Sequence, residues 1–197
     1  MYQFIETIRV ASGNVENIFY HQQRVNRTLD YFKSNHTIDV AKKIVTQPSI
    51  HSIIKARVVY SLTQIEEITY SPYSIKPINS VKLVEASNEG YDFKYANRDW
   101  LKKKLLEAKT DEIIIIRNKL ITDASYANLT FFDGTNWLTP QQPLLLGTRR
   151  AALLDKKIIK EAPITINDLQ KFSHMKFINA MMLWDESPVI VVNQIKV

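Results

Sequence analysis

Residues 113–116 are four consecutive isoleucines, bracketed by Glu112 and Arg117. A β-branched run of that length suits a short strand. This run and residues 143–146 fall far short of the about 20 apolar residues that a helix needs to cross a bilayer. The opening MYQFIETIRV lacks the basic-then-apolar order of a signal peptide. The chain has no cysteine, which removes a disulfide framework, thiolate metal ligands and a thiol nucleophile. A cytoplasmic protein with no membrane contact is therefore expected. Its 197 residues suffice to bury roughly 70% of the surface exposed on unfolding, with no covalent staple.

Short elements alternate along the chain. Residues 3–10 read as a strand, and a turn around Gly13-Asn14 leads to a second short strand over 16–20. Val25, Leu29 and Phe32 recur at i, i+4 and i+7 within residues 21–33, which predicts an amphipathic helix. A second helix is expected over 38–46, ending before Pro48, followed by a hairpin of 51–60 with 64–71 and a strand over 81–86. Pro72 and Pro77 mark residues 71–80 as a linker, dividing a small lobe over 1–75 from a larger one over 76–197. The larger lobe should open with a helix over 97–108, with Leu101, Leu105 and Ala108 on one face. Strands follow over 112–117, 120–123, 127–133 and 136–139, the last two joined through Asp133-Gly134. A helix over 147–159 and then strand, short helix and strand complete the pattern. The expected class is α+β with two lobes.

A formal charge of +6 raises the question of nucleic acid. The largest basic run, Lys102-Lys103-Lys104, lies beside Asp99 and Glu107, the pattern of a solvated helix face, and no nucleic-acid-binding module is recognisable. A basic balance equally suits an enzyme of small polyanionic substrates, and no nucleic-acid partner is expected. P-loop, GxGxxG, GxSxG and HExxH motifs are absent. The histidines at 21, 36, 51 and 174 show no metal-ligand spacing, so no metal is expected.

Four segments carry chemical signals. In DFKYANRDWLKKKLL, residues 92–106, Lys94 precedes a predicted helix between Phe93 and Tyr95. Aromatic neighbours strip water from an amine and favour its neutral, nucleophilic form, although an ordinary surface lysine gives the same pattern. In LITDASYANLTFF, residues 120–132, Asp123 falls at a strand end and Asn128 five residues on. A plain turn would also use these residue types. In PLLLGTRRAALL, residues 143–154, an apolar stretch runs through Gly147-Thr148 into a helix. Free amides there can hold a phosphate, although a Thr N-cap alone gives the same pattern. In YHQQR, residues 20–24, His21 and Arg24 share a helix face. Arg24 is either a second phosphate ligand or a solvated charge.

In this order the four segments, together with IETIRV at residues 5–10, resemble the class IV aminotransferases, the fold-type IV enzymes that use pyridoxal 5′-phosphate (PLP). The resemblance covers nearly the whole chain and implies a two-lobed, D-amino-acid-aminotransferase-like fold. It matches Lys94 to the lysine that binds the cofactor covalently and moves the proton. It matches Arg24, within the family's H-x-x-R pattern, to a ligand of the cofactor phosphate. Thr148 matches the residue that caps this phosphate, with Gly147 and Arg149 offering amides. Asp123 stands where the family has Glu, the partner of the pyridine nitrogen, and Asn128 matches the Asn of the following S-N-[LIV] turn. An ionised carboxylate of either length keeps the ring an electron sink. The chain begins without the family's D-R-G-x-x-Y-G-D-G segment. An N-terminus truncated in this way would remove one wall of the family's substrate pocket.

The ending FINAMMLWDESPVIVV, residues 177–192, and KYANR, residues 94–98, are most similar to the 4-amino-4-deoxychorismate lyase branch. This similarity implies conversion of aminodeoxychorismate to 4-aminobenzoate and pyruvate, a reaction of folate biosynthesis. The substrate's two carboxylates need cations, for which Arg57 and Arg98 are the candidates. The alternatives are a transaminase of branched-chain or D-amino acids and a non-catalytic relative. The resemblance also implies a homodimer.

Overall fold

The computed structural model describes residues 2–46, 53–86 and 91–196. The chain forms two compact units. One comprises Met1–Ile75, Phe93–Asn97 and Ala180–Met182; the other comprises Lys76–Asp92, Arg98–Asn179 and Leu183–Val197.

In the first unit, strand β1 (Phe4–Ala11) turns through Ser12-Gly13 into β2 (Asn14–Val15). Ser12 and Gly13 both have positive φ (50° and 76°), the type I′ geometry that matches strand twist. With β3 (Ile54–Tyr60) and β4 (Ile65–Pro72) these strands form an antiparallel sheet in the order β2-β1-β3-β4. The expected strand over 16–20 does not form. Asn17 takes a left-handed conformation and redirects the chain into helix α1 (Ile18–Tyr31). The helix buries His21, Arg24, Val25, Thr28 and Leu29, a face of strict helical spacing.

The helix expected over 38–46 shrinks to one 3-10 turn, Ala41–Lys43. Gln22 of α1 takes the place of helical bonds: its Oε1 accepts from Val40 N at 2.9 Å and its Nε2 donates to Ile38 O at 2.7 Å. Ile38, Val40 and Ile44 instead join Phe4, Ile8, Val25, Leu29, Val58 and Tyr60 in the core. The hairpin predicted over 51–60 and 64–71 forms as β3 and β4, its residues 51 and 52 lying outside those described.

In the second unit β5 (Val81–Glu85) pairs parallel with β6 (Glu112–Arg117), and helix α2 (Asp99–Ala108) lies between them in sequence. Ile113 to Ile116 are all buried, as a strand with neighbours on both sides requires. Asn118 and Lys119, both at positive φ, turn β6 into β7 (Leu120–Ala124). Then come β8 (Asn128–Phe132), β9 (Trp137–Pro140), helix α3 (Thr148–Asp155) and β10 (Ile159–Ala162). Strands β11 (His174–Ile178), β12 (Val189–Val191) and β13 (Ile195–Lys196) follow. The main path of the sheet runs β10-β9-β8-β7-β6-β5-β13, and β11 pairs with β8 and β12.

The turn at Asp133-Gly134 joins β8 and β9 as expected, Asp133 N donating to Asn136 O at 3.1 Å. Helix α3 ends four residues before the expected 159. Lys157 at φ 56° breaks it, and Ile159 pairs with Trp137 in β10. Two successive β-branched residues, Ile158 and Ile159, are better placed in an extended segment than in a last helical turn. No helix of the described residues is long and apolar enough to cross a membrane.

Candidate functional site

Along β1, Phe4, Glu6, Ile8 and Val10 point to one face, since side chains alternate. Glu6 is thus a carboxylate on the core face, fully buried. Helix α1 supplies its partners. Arg24 Nε donates to Glu6 Oε1 at 2.8 Å, Arg24 Nη2 to Oε2 at 2.5 Å, and His21 Nδ1 lies 2.5 Å from Oε2. Burial raises the Glu6 carboxyl, but the Arg24 charge and the His21 hydrogen bond outweigh it and hold the group at about 2. A carboxylate can only accept, so His21 carries its proton on Nδ1. Burial pushes His21 down, against Glu6 and with the charges of Arg24 and Lys94. Arg24 is therefore no solvated charge. It is 6% exposed and its fork is oriented by Glu6.

Lys94 belongs to the same unit. Its carbonyl accepts from Ile5 N at 2.9 Å, and Tyr95 bridges to Phe4. The rings of Phe93 and Tyr95 pack on Phe4 at 6.3 and 5.3 Å. The aromatic neighbours noted in the sequence thus anchor the main chain of Lys94 to β1 while its side chain remains partly exposed.

In the second unit Asp123 and Asn128 stand opposite each other in the β7–β8 register. Asn128 Nδ2 donates to Asp123 Oδ1 at 2.7 Å and to Leu145 O at 2.8 Å; Leu145 N donates to Asp123 Oδ2 at 2.8 Å. Burial pushes the Asp123 carboxyl up to about 7, against these donors and the charge of Arg150. Gly147 precedes the first residue of α3. A Cβ there would sit 1.9 Å from Asn128 Oδ1, so Gly147 is required by close approach, with an ordinary φ of −72°. Thr148 and Arg149 are buried in the first turn of α3. Asp123, Asn128 and Leu145 thus form one hydrogen-bonded group, closely approached by Gly147 at the start of α3, and a helix N-terminus is where an anion is favoured.

The two expected substrate ligands are placed as follows. Arg57 is partly exposed on β3, its Nη1 3.8 Å from Glu67 Oε2. Arg98, just before α2, donates through Nη2 to the carbonyl of Ser125. Several buried charges are not singled out by the sequence, Glu6, Glu112 and Arg150 among them. Glu6 could have been found as a charged residue among the apolar positions of an alternating strand. Arg150, which donates to Pro140 O at 2.9 Å and to Glu161 Oε1 at 2.6 Å, and Glu112 look in sequence like ordinary surface charges. Among the described residues no group of three His, Asp or Glu side chains could hold a metal ion.

A family model described as amino-transferase class IV matches residues 3–185. A Haemophilus influenzae protein described as uncharacterized is 32% identical over 186 residues, which span 92% of this chain and 98% of that one. Among solved structures, a Haemophilus somnus protein provisionally named a 4-amino-4-deoxychorismate lyase is similar at 34% identity and a TM-score of 0.84, covering 92% of this chain and 97% of its own. A PLP-bound hypothetical aminotransferase of Mycobacterium tuberculosis is similar at 15% identity and a TM-score of 0.76, over 96% of this chain and 80% of that one. The branched-chain amino acid aminotransferase of Escherichia coli follows at 13% and 0.66, over 98% and 76%. These last two likenesses concern the fold alone.

Proposed function

The chain belongs to the class IV aminotransferase family, whose members depend on PLP, and from that premise we propose that it is a PLP-dependent lyase converting 4-amino-4-deoxychorismate to 4-aminobenzoate and pyruvate. The residues present fit the cofactor. Asp123 is a buried carboxylate that accepts from two N–H donors, Asn128 Nδ2 and Leu145 N, and a protonated ring nitrogen is a further donor of the same kind. Arg24 is a buried guanidinium oriented by Glu6, and the amides of Thr148 and Arg149 open a helix, two devices suited to a phosphate. The observation that carries the reading is this Asp123–Asn128–Gly147 group in a chain of this family that also has Lys94. The lyase branch is supported by the likeness to the Haemophilus somnus protein and by the ending at residues 177–192.

When bound, the cofactor supplies an electron sink for the charge left by proton removal. Arg24, Thr148 and Arg149 would be the residues to bind its phosphate, Asp123 would hold its ring nitrogen protonated, and Asn128 would orient Asp123. Lys94 would hold it covalently, and its amine would be the base that takes the proton from the substrate ring carbon bearing the amino group. The bond from the ring to the enolpyruvyl oxygen then breaks and the ring becomes aromatic. The proton passes to the methylene of the departing group, which leaves as pyruvate. Aromatisation drives the step, so the protein's contribution is orientation and one base.

The test is release of 4-aminobenzoate from aminodeoxychorismate by PLP-loaded protein, with Lys94→Ala as control. Product from the native protein only is expected. No product, together with amino-group transfer to an oxo acid, would move the assignment to a transaminase of branched-chain or D-amino acids. Borohydride reduction of loaded protein should label Lys94; a label spread evenly over other lysines would sink its role and favour a non-catalytic relative. The reading includes a homodimer, and sedimentation at the monomer mass under assay conditions would refute that part.

A further inference from the structure

Asp123 has two side-chain torsions, and each of its oxygens already accepts a hydrogen bond. Its carboxylate can therefore be re-aimed only by moving the strand that carries it. The β7–β8 turn that follows, residues 125–127, is held in an unusual way. All three hydrogen-bonding groups of Ser125 are taken by two charged side chains from elsewhere in the chain. Glu112, the first residue of β6, accepts from Ser125 N at 2.9 Å through Oε1 and from Ser125 Oγ at 2.9 Å through Oε2. Arg98 donates from Nη2 to the Ser125 carbonyl.

Glu112 is 1% exposed, and its Oε1 also accepts from Ile113 N at 2.8 Å. Burial pushes it up, against these donors and the Arg98 charge. A buried carboxylate is a costly device for tying down a turn, because Asn or Ser could supply local bonds at less desolvation. What it offers instead is rigidity: charge-assisted bonds on both sides of one residue, two positions beyond Asp123.

We propose that Glu112 and Arg98 are positioning residues for the cofactor: by gripping Ser125 from both sides they set the main-chain position of Asp123, and so the alignment of its carboxylate with the pyridine nitrogen. This rests on the PLP reading above, and it makes Arg98 an anchor of the turn instead of a ligand of the substrate.

The test compares dissociation constants for PLP and for an analogue in which the ring nitrogen is replaced by C–H. A charge-assisted bond should make the native protein prefer PLP roughly ten- to hundredfold. Glu112→Ala and Arg98→Met should lower that preference towards the level of Asp123→Ala, and Arg98→Lys should restore much of it. A structural role alone would weaken both ligands equally and keep the ratio; that result, or an unchanged ratio, overturns the proposal. If Glu112→Ala does not fold, Arg98→Met decides, because this side chain is only partly buried and Met keeps its stem. A native protein that binds both ligands equally overturns the role of Asp123, and the positioning role with it.

Discussion

Gly147→Ala isolates one contact on which the Asp123 arrangement depends. The backbone at Gly147, φ −72° and ψ 143°, suits alanine, so the substitution adds no conformational strain. The new Cβ would instead lie 1.9 Å from Asn128 Oδ1 and 3.1 Å from its Cγ. Asn128 must retreat by about 1 Å or more to restore van der Waals contact. Its amide bonds at 2.7 Å to Asp123 and 2.8 Å to Leu145 O do not survive such a shift. One is a bond to a carboxylate and the other a neutral bond, together worth about 3 kcal/mol. Alanine also stiffens the unfolded chain, which returns about 0.5–1 kcal/mol. The net loss should be about 2 kcal/mol by urea unfolding. Asn128→Ala removes the obstructing atom, so Gly147→Ala added to it should cost nothing further. Additive losses in that double-mutant cycle, or a neutral Gly147→Ala, would refute the reasoning.

Three further outcomes are expected. Glu6 is held at about 2 from an ordinary 4.5, so its contribution is complete above pH 4.5 and lost as pH falls towards 2. The shift corresponds to about 3 kcal/mol, and acid unfolding of Glu6→Ala should lack this step. Asp123 is displaced the other way, from 3.8 to about 7. The cofactor-free protein should therefore lose stability as pH rises from 3.8 to 7, by about 4 kcal/mol at most, and Asp123→Ala should remove that slope. Lys176 Nζ lies 4.2 Å from the Trp184 ring centroid and donates to Trp184 O at 3.0 Å. Lys176→Met should cost about 1 kcal/mol in urea unfolding and alter tryptophan emission, and unchanged emission would count against the contact.

Local patterns carried much of the fold. The spacing of Val25, Leu29 and Phe32 located α1, and the isoleucine run located β6, because periodicity and β-branching act over a few residues. The same local reading failed at residues 38–46, where the side chain of Gln22, distant in sequence, takes the main-chain bonds a helix would use. It failed again at Ile158 and Ile159, drawn into a strand by pairing with β9. The candidate site divides along the same line. Lys94, Arg24, Asp123, Asn128, Gly147 and Thr148 stood out because each sits in a short segment of distinctive order. Glu6 left a trace, a charge on an apolar strand face.

Glu112 left no trace, and Arg98 suggested a ligand of the substrate but not its bond to Ser125, since one carboxylate before an apolar run and one arginine before a helix are commonplace. Their partner, Ser125, lies 13 and 27 residues away. By itself, then, the sequence determined the element types wherever spacing was regular, and the family through short ordered segments. Tertiary structure alone decided which charges are buried, what holds them, and that Gly147 must lack a side chain to admit Asn128. Propensity and periodicity act between near neighbours in the chain. Desolvation and close approach act between groups that meet only once the chain has folded.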